Sequence, residues 1–336
     1  MRRSSGRKWR RTRALLLVLL SAGCASRDAR PRQATAGPLA AGDYDRTLFH
    51  GGIERGYLLH LPPAVERSTA LPLVLAFHGG GGHGENQREY SKLHLLGDRE
   101  GFVTVYPDGT GGVARRLLTW NAGSCCGPAQ RKNVDDVDFV RKVVDDVAKL
   151  VSIDRRRIYA TGLSNGAMLS YRLAIEAPDL VAAIAPVAGA NAMDPKPGTP
   201  AVPVLHIHSV DDPRALYAGG LGPPFPLTDH RVLHPSVETV VRRWAAHDGC
   251  APEPVTAETR AGAAGSKDEG QTATRWVFGG CRDESAVELL RLTGAGHVWP
   301  GGDRSYLVRL LGRGTSIIDA NQELWAFFRR FRRPLP

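Results

Sequence analysis

The chain has 336 residues and a formal net charge of +10, and its 42% hydrophobic and 23% charged residues are typical of a globular protein. Seven of the positive charges lie within residues 2–13, so the rest of the chain carries only +3. This distribution argues against nucleic acid as a partner, because a binding surface needs basic residues spread over a folded face.

Residues 1–23 have the three parts of a signal peptide. The basic stretch is followed by seven apolar residues, 14–20, and then by Ser21, Ala22 and Gly23, which are small. The apolar run is too short to span a bilayer. A buried or amphipathic helix is the alternative, but the run is apolar on all sides and follows a basic block. We therefore expect an exported protein.

Cys24 follows these small residues as in the bacterial lipobox, where the cysteine is lipidated and becomes the mature N-terminus. Ser21 stands where that pattern usually has leucine, so an ordinary cleavage that discards Cys24 is the alternative. We expect an extracellular protein or an outer-membrane or periplasmic lipoprotein, and a lipid on Cys24 would make the membrane a partner. Residues 24–42 are then a predicted flexible tether, and residues 43–336 one domain.

Beyond residue 43, apolar runs predict strands that alternate with helices. Residues 47–61 predict a hairpin, and continuous apolar runs at 73–77 and 102–106 predict strands buried on both faces. Further strands are predicted at 157–160, 182–187, 202–207 and 287–292, and helices at 134–150, 165–176 and 322–331. This alternation predicts an α/β fold: a mostly parallel sheet with an antiparallel N-terminal hairpin and helices on both faces. Residues 251–275 lack apolar periodicity and are predicted to be a long surface loop.

Four cysteines remain after Cys24, and an even number in an exported protein predicts two disulfides. Cys250 and Cys281 are the pair that closes more easily without strain. The adjacent Cys125 and Cys126 would then form a vicinal bridge or stay as thiols. The sequence lacks the CxxC spacing that is typical of a metal site, and we expect neither a metal nor a cofactor.

The segment 162–166, Gly-Leu-Ser-Asn-Gly, has the pattern G-x-S-x-G. The pattern alone could be a glycine-rich turn, but here a predicted strand precedes it and a predicted helix follows. That context is typical of the nucleophile elbow, a strained turn that exposes a serine at the N-terminus of a helix, where developing negative charge is favoured. It predicts Ser164 as a nucleophile and an α/β-hydrolase fold.

In this fold an acid and then a histidine follow the serine along the chain. Asp211 and Asp212 come directly after a predicted strand, and either could be the acid or a turn and helix-capping residue. His297 lies in a glycine-rich loop after the last predicted strand and is the candidate base. His206 and His208 alternate along a strand and are predicted to be structural or near the site.

Acyl transfer also needs hydrogen-bond donors for the oxyanion. One is the backbone N–H that follows the nucleophile, here that of Asn165. The other is expected from the loop after an early strand, which here is the glycine run 79–82, with Gly80 as the candidate. A plain glycine linker is the alternative, but the run begins just where a predicted strand ends.

Several segments together carry a family resemblance that extends over nearly the whole chain after residue 45. They are residues 73–79, 105–109, 120–121, 125–127, 134–139, 162–168, 206–208 and 296–301. In combination they resemble the bacterial poly(3-hydroxybutyrate) depolymerase-like esterases, which are similar to feruloyl and acetylxylan esterases.

The resemblance implies roles for further residues. The family's His-Gly-Thr-x-Asp segment, laid on residues 208–212, implies that Asp212 is the acid. The chain departs from the family at Ser209, where glycine is usual, and at Gly80, where many members have cysteine. Trp120 and Trp299 become candidate walls of a substrate pocket, with ordinary core packing as the alternative.

The function implied is hydrolysis of a carboxylic ester, either a polyester oligomer or a plant cell-wall ester. A peptidase or acyltransferase on the same fold is one alternative, because the geometry of a triad of Ser164, His297 and Asp212 does not dictate which molecule accepts the acyl group. A non-catalytic binding lipoprotein is another, disfavoured because every triad position holds a competent residue.

Overall fold

A computed structural model describes residues 39–67, 69–112, 115–225 and 229–334. The predicted signal peptide, the lipidation candidate Cys24 and most of the predicted tether lie outside these residues. Leu39, near the end of the predicted tether, already packs against the core. No helix in the described ranges has the length and apolar character needed to cross a bilayer.

Strands and helices alternate along most of the described chain. The strands are β1 (Gly42–His50), β2 (Ile53–Leu61), β3 (Leu71–Phe77), β4 (Val103–Pro107), β5 (Ile153–Leu163), β6 (Ala183–Val187), β7 (Val204–Ser209), β8 (Gly220–Leu221), β9 (Leu233–His234), β10 (Val255–Ala261), β11 (Thr272–Phe278) and β12 (Val287–Thr293). The helices are α1 (Gly84–Ser91), α2 (Leu93–Glu100), α3 (Gly127–Arg131), α4 (Asp136–Leu150), α5 (Asn165–Glu176), α6 (Val237–His247), α7 (Val308–Leu311) and α8 (Ala320–Phe328).

In the described part of the chain, ten strands form one sheet in the order β1-β2-β4-β3-β5-β6-β7-β12-β11-β10, and β8 pairs with β9 separately. Neighbours from β4 to β12 are parallel, whereas the pairs at both ends of the sheet are antiparallel. The predicted N-terminal hairpin and mostly parallel sheet are confirmed. Because the central strands are parallel, their carboxyl ends meet at one edge, where sites of α/β proteins form.

Alternate side chains of β3 enter two separate cores. Leu73, Leu75 and Phe77 pack with residues of α4, α5 and α6, whereas Val74 and Ala76 pack with residues of α2 and α8 on the opposite face. The amphipathic pattern of α4 explains its placement, since its buried apolar side chains are Val137, Phe139, Val140, Val143, Val144 and Val147. Helices therefore cover both faces, as predicted.

The predicted surface loop at 251–275 is wrong. Residues 255–261 and 272–278 form the hairpin β10–β11, and β11 pairs in continuous register with β12 from Thr272 opposite Thr293 to Phe278 opposite Val287. Apolar periodicity fails here because β10 is an edge strand exposed on both faces. Its strand conformation comes from backbone pairing with β11, which leaves no hydrophobic alternation in the sequence.

Candidate active site

Ser164 occupies the turn between β5 and α5. Its backbone has φ 57° and ψ −117°, a positive φ that residues other than glycine rarely adopt. The hydroxyl makes no capping bond to α5, and the side chain is partly exposed between the buried Leu163 and Asn165. The turn thus presents a hydroxyl at the carboxyl-terminal edge of the sheet.

Glycines around Ser164 permit close approach of backbone segments. A Cβ atom on Gly166 would lie 2.3 Å from the carbonyl oxygen of Phe77, and one on Gly162 would lie 2.7 Å from the same atom. A Cβ atom on Gly189 would lie 2.2 Å from the carbonyl oxygen of Ser164. Both glycines of the G-x-S-x-G segment are therefore needed for β3, β5 and α5 to pack together.

Asp212 and His297 meet beyond the ends of two neighbouring parallel strands, β7 and β12. The distance from His297 Nδ1 to Asp212 Oδ2 is 2.7 Å, and both side chains are buried. A carboxylate at Nδ1 fixes the imidazole tautomer with its proton on that nitrogen, which leaves Nε2 to act as a base. The strand order thus brings together two residues that are 85 positions apart in the sequence.

The carboxylate of Asp212 is surrounded by donors. Oδ1 accepts hydrogen bonds from the backbone N–H groups of Arg214 and Ala215, at 2.7 and 2.8 Å, and His208 Nε2 lies 3.2 Å from Oδ2. Burial alone would raise the pKa of Asp212, but the imidazoles of His297 and His208 outweigh burial and hold the pKa well below its ordinary value. Asp212 therefore stays ionised.

Asp211 has a different environment from its neighbour. It is exposed, and its Oδ2 accepts a 2.6 Å hydrogen bond from the backbone N–H of Gly294, three residues before His297. Asp211 thus binds the loop backbone, whereas Asp212 contacts the imidazole ring. The structure brings Asp212, rather than Asp211, to His297.

The glycine run after β3 passes over Ser164. A Cβ atom on Gly79 would lie 3.5 Å from Ser164 Cβ, and one on Gly80 would lie 3.7 Å from Asn165 Cβ. Asn165 is the first residue of α5, and the first N–H groups of an α-helix lack partners within the helix. Both predicted sources of oxyanion donors, the Gly80 loop and the Asn165 backbone, therefore flank the serine.

The side chain of His78 is hydrogen-bonded to the glycine run. Its Nε2 accepts a 3.0 Å hydrogen bond from the backbone N–H of Gly109, so the neutral ring carries its proton on Nδ1 and donates it to Gly79 O at 2.8 Å. Burial lowers the pKa of His78 to about 4, which keeps the ring neutral near pH 7. The loop that flanks Ser164 is thereby tied to the segment that follows β4.

The sequence model of the family described as Esterase PHB depolymerase matches residues 55–274. The chain belongs to this family. It is therefore a carboxylic-ester hydrolase, and the resemblance inferred from its motifs is confirmed.

Individual relatives agree with this assignment. "Putative esterase NocK" of Nocardia uniformis subsp. tsuyamanensis is 30% identical over 282 residues, which cover 80% of this chain and 77% of that protein. Feruloyl esterase D of Neurospora crassa is 26% identical over 96% of this chain and 98% of that protein. The structure of an acetyl xylan esterase from Aspergillus awamori matches 76% of this chain and 94% of its own, with a TM-score of 0.52 and 17% identity, so it shares the α/β-hydrolase fold.

Both candidate wall tryptophans of this PHB depolymerase family member are fully buried. Trp120 donates from Nε1 to His78 O at 3.0 Å, and its backbone exchanges two hydrogen bonds with the side chain of Asn165. Trp299 donates from Nε1 to Asn321 Oδ1 at 3.0 Å and lies in the core that contains α2 and α8. Core packing, the alternative weighed for both, describes their surroundings; Trp120 in addition braces the segment beside Ser164.

Phe225 and His234 also lie near the site, although the sequence analysis did not single them out. The ring of Phe225 would lie 3.5 Å from a Cβ atom on Gly80, beside the serine. His234 is close enough to Asp212 and His297 to interact electrostatically with both, and burial lowers its pKa to about 4. These residues lie in a segment rich in glycine and proline without periodicity, so no sequence signal marked them.

The cysteine pairs predicted for this family member lie close together. The sulfur atoms of Cys250 and Cys281 are 2.00 Å apart, and those of the adjacent Cys125 and Cys126 also lie together. Cys125 and Cys126 pack with Met168, one turn into the helix that follows Ser164. Among the described residues, no group of three or more His, Cys, Asp or Glu side chains is arranged to hold a metal ion.

Proposed function

We propose that this chain is an exported serine esterase that uses Ser164 as nucleophile, His297 as base and Asp212 as the acid that orients it. The observation that carries the proposal is the 2.7 Å contact of buried His297 Nδ1 with Asp212 Oδ2, at the sheet edge where the strained turn presents Ser164. The order of these residues along the chain, Ser, Asp and His, is that of α/β-hydrolases. Family membership is independent support.

The reaction proceeds in two halves. Ser164 Oγ attacks the ester carbonyl while His297 Nε2 takes the hydroxyl proton, and Asp212 stabilises the resulting imidazolium. The N–H groups of Asn165 and Gly80 bind the oxyanion of the tetrahedral intermediate. Collapse of the intermediate expels the alcohol, which receives the proton from His297. His297 then takes a proton from water, which attacks the acyl-enzyme, and returns that proton to Ser164 Oγ as the carboxylic acid leaves.

The substrates proposed are polyester oligomers of hydroxy acids or plant cell-wall esters such as feruloyl and acetyl esters. The family description names the first group, and the names of the Neurospora crassa and Aspergillus awamori relatives name the second. The ring of Phe225 lies beside the Gly80 loop, so an acyl chain bound at Ser164 would have an apolar side chain near it, which suits either class. Comparing release of 3-hydroxybutyrate from its oligomers with release of ferulate and acetate separates these substrates.

An ester and its matched amide distinguish an esterase from a peptidase. We expect p-nitrophenyl butyrate to be hydrolysed at least about 10³ times faster, in kcat/KM, than butyryl p-nitroanilide, because the leaving amine of an anilide needs more help than an ester alcohol. The absorbance of the released p-nitrophenolate or p-nitroaniline measures the two reactions. Comparable rates would favour the peptidase alternative, and labelling of Ser164 by a fluorophosphonate without turnover would favour an acyltransferase.

The proposal of export rests on the sequence pattern of residues 1–23, and that of a lipid anchor on Cys24. We expect the wild-type protein to incorporate radiolabelled palmitate in a bacterial host and to fractionate with membranes. The Cys24→Ser variant should incorporate none and appear in the soluble fraction, because the pattern predicts that the lipid is attached to the thiol of Cys24. Equal labelling of the two proteins would contradict the anchor, and full retention of both in the cytoplasm would contradict export.

A further inference from the structure

Three buried side chains form a row of hydrogen-bonded groups that leads to Asp212. Tyr171 Oη lies 2.8 Å from His206 Nδ1, and His206 Nε2 lies 3.0 Å from His208 Nδ1. His208 Nε2 in turn lies 2.8 Å from Ala215 O and 3.2 Å from Asp212 Oδ2. The three side chains are at most 2% exposed, so no bulk solvent intervenes. We call Tyr171, His206 and His208 the buried relay.

The direction of every hydrogen bond in the buried relay follows from one atom. The carbonyl oxygen of Ala215 can only accept, so His208 must carry a proton on Nε2. In the neutral ring His208 Nδ1 is then an acceptor, and the proton between the two rings belongs to His206 Nε2. Burial holds the pKa of His206 well below its ordinary value, so its Nδ1 is unprotonated and accepts from Tyr171.

The buried relay ends on the same oxygen that His297 uses. His208 Nε2 and His297 Nδ1 both approach Asp212 Oδ2, at 3.2 and 2.7 Å, while Oδ1 is occupied by two backbone N–H groups. With these four contacts the carboxylate cannot rotate without losing a partner. Removing the Nε2–H group of His208 would take away one contact of Asp212 Oδ2, the oxygen that orients the imidazole of His297.

The other end of the buried relay lies on α5, the helix that begins directly after Ser164. Tyr171 is two turns along this helix, and His206 and His208 are on β7, which leads to Asp212. The relay therefore links the helix of the nucleophile to the loop of the acid. The ring planes of His206 and His208 are tilted by only 13°, which aligns their nitrogens along this path.

We propose that Tyr171, His206 and His208 are positioning residues for the reaction of Ser164, acting through Asp212. The inference rests on the proposed function. A role in folding alone would not require the relay to lead to Asp212, because apolar side chains could fill the same volume between β7 and α5 without polar groups that need partners. Hydrogen-bonded networks of this kind fix one arrangement when every member has a partner.

Tyr171→Phe is the first test, because it removes one oxygen atom and keeps the ring. We expect kcat for p-nitrophenyl butyrate to fall about tenfold while KM stays within about twofold, since Asp212 and His297 are displaced and the substrate pocket is not. Tyr159→Phe is the matched control: Tyr159 is also buried and donates to a backbone carbonyl, Phe331 O, at 2.7 Å, but it lies outside the buried relay. Tyr159→Phe should lower the unfolding temperature without changing kcat.

His208→Leu and His208→Gln form a second pair. Leucine removes the Nε2–H group that is bonded to Ala215 O and lies 3.2 Å from Asp212 Oδ2. We expect kcat to fall about a hundredfold, whereas the amide of glutamine can donate and should recover at least about tenfold of that loss. The far-downfield proton NMR signal of His297 Nδ1–H reports on its bond to Asp212. It should move or broaden in Tyr171→Phe and His208→Leu and stay in place in Tyr159→Phe.

Two results would overturn the proposal. One is a kcat of folded Tyr171→Phe that equals that of Tyr159→Phe, and the other is an unchanged His297 signal in Tyr171→Phe. A wild-type protein that turns over no ester and whose Ser164 takes no fluorophosphonate would overturn the proposed function instead, and with it the positioning role. If His208→Leu does not fold, Tyr171→Phe and His208→Gln decide the question.

Discussion

The Ser164→Ala variant is expected to lose ester hydrolysis by about 10⁶-fold in kcat, because the oxygen that attacks the ester carbonyl to form the acyl-enzyme is missing. The residual rate would come from the oxyanion donors and from substrate binding alone. The variant should fold normally, since the Ser164 hydroxyl makes no capping bond to α5 and alanine has the same Cβ atom in the same positive-φ turn. Turnover of p-nitrophenyl butyrate and labelling by a fluorophosphonate measure the loss.

Ser170→Ala provides the matched control on the same helix. Ser170 is buried and its hydroxyl donates to Gly166 O at 3.2 Å, so it is a serine of α5 with a purely structural contact. Its replacement should leave kcat near the wild-type value and should not prevent labelling. A Ser164→Ala protein that keeps more than about 1% of wild-type kcat would remove Ser164 from the mechanism.

The Asp212→Asn variant should lower kcat by about 10⁴-fold, and the hydrogen bonds around Asp212 give the reason. Two backbone N–H groups donate to Oδ1, so the amide oxygen of asparagine would take that place and its NH₂ would face His297. An NH₂ group donates to His297 Nδ1 and drives the ring proton to Nε2, the nitrogen that must accept the proton of Ser164. The imidazole would then be held in the wrong tautomer.

Asp211→Asn makes the same chemical change one residue earlier. Asp211 accepts a hydrogen bond from Gly294 N, and an asparagine oxygen can accept it equally well. We expect kcat within about threefold of wild type, because the ring of His297 keeps its carboxylate. Steady-state kinetics of the two variants at one pH separate the acids, and a larger loss in Asp211→Asn than in Asp212→Asn would transfer the acid's role to Asp211.

The fold could be predicted where burial leaves a pattern in the sequence. Strands such as β3 and β4 are buried on both faces, so they are continuous apolar runs, and α4 places its valines at helical spacing. The hairpin β10–β11 has no such pattern, because β10 has solvent on both faces and is held by backbone hydrogen bonds. Hydrophobic periodicity in a sequence reflects which side chains are buried, so an edge strand held by backbone hydrogen bonds need not show it.

The site was predictable to the extent that covalent spacing determines it. The strained turn at Ser164 needs glycines at fixed positions, and the G-x-S-x-G pattern records them. Residue types and spacing alone left Asp211 and Asp212 open; the family resemblance implies Asp212, and its burial against His297 follows from the adjacency of β7 and β12. The contacts of Phe225 with the glycine loop and of His206 with Tyr171 depend on tertiary packing in the same way.

The antiparallel pairs at both ends of the sheet affect how the molecule behaves at high concentration. An open edge strand can recruit a strand from another molecule and begin aggregation, unless charged side chains oppose the pairing. β10 carries Glu258 and Arg260 on one edge, and β1 carries Asp43, Asp45 and Arg46 on the other. Within the described residues, both outer strands thus combine an edge without a further strand with mixed charge, which disfavours growth of the sheet from molecule to molecule.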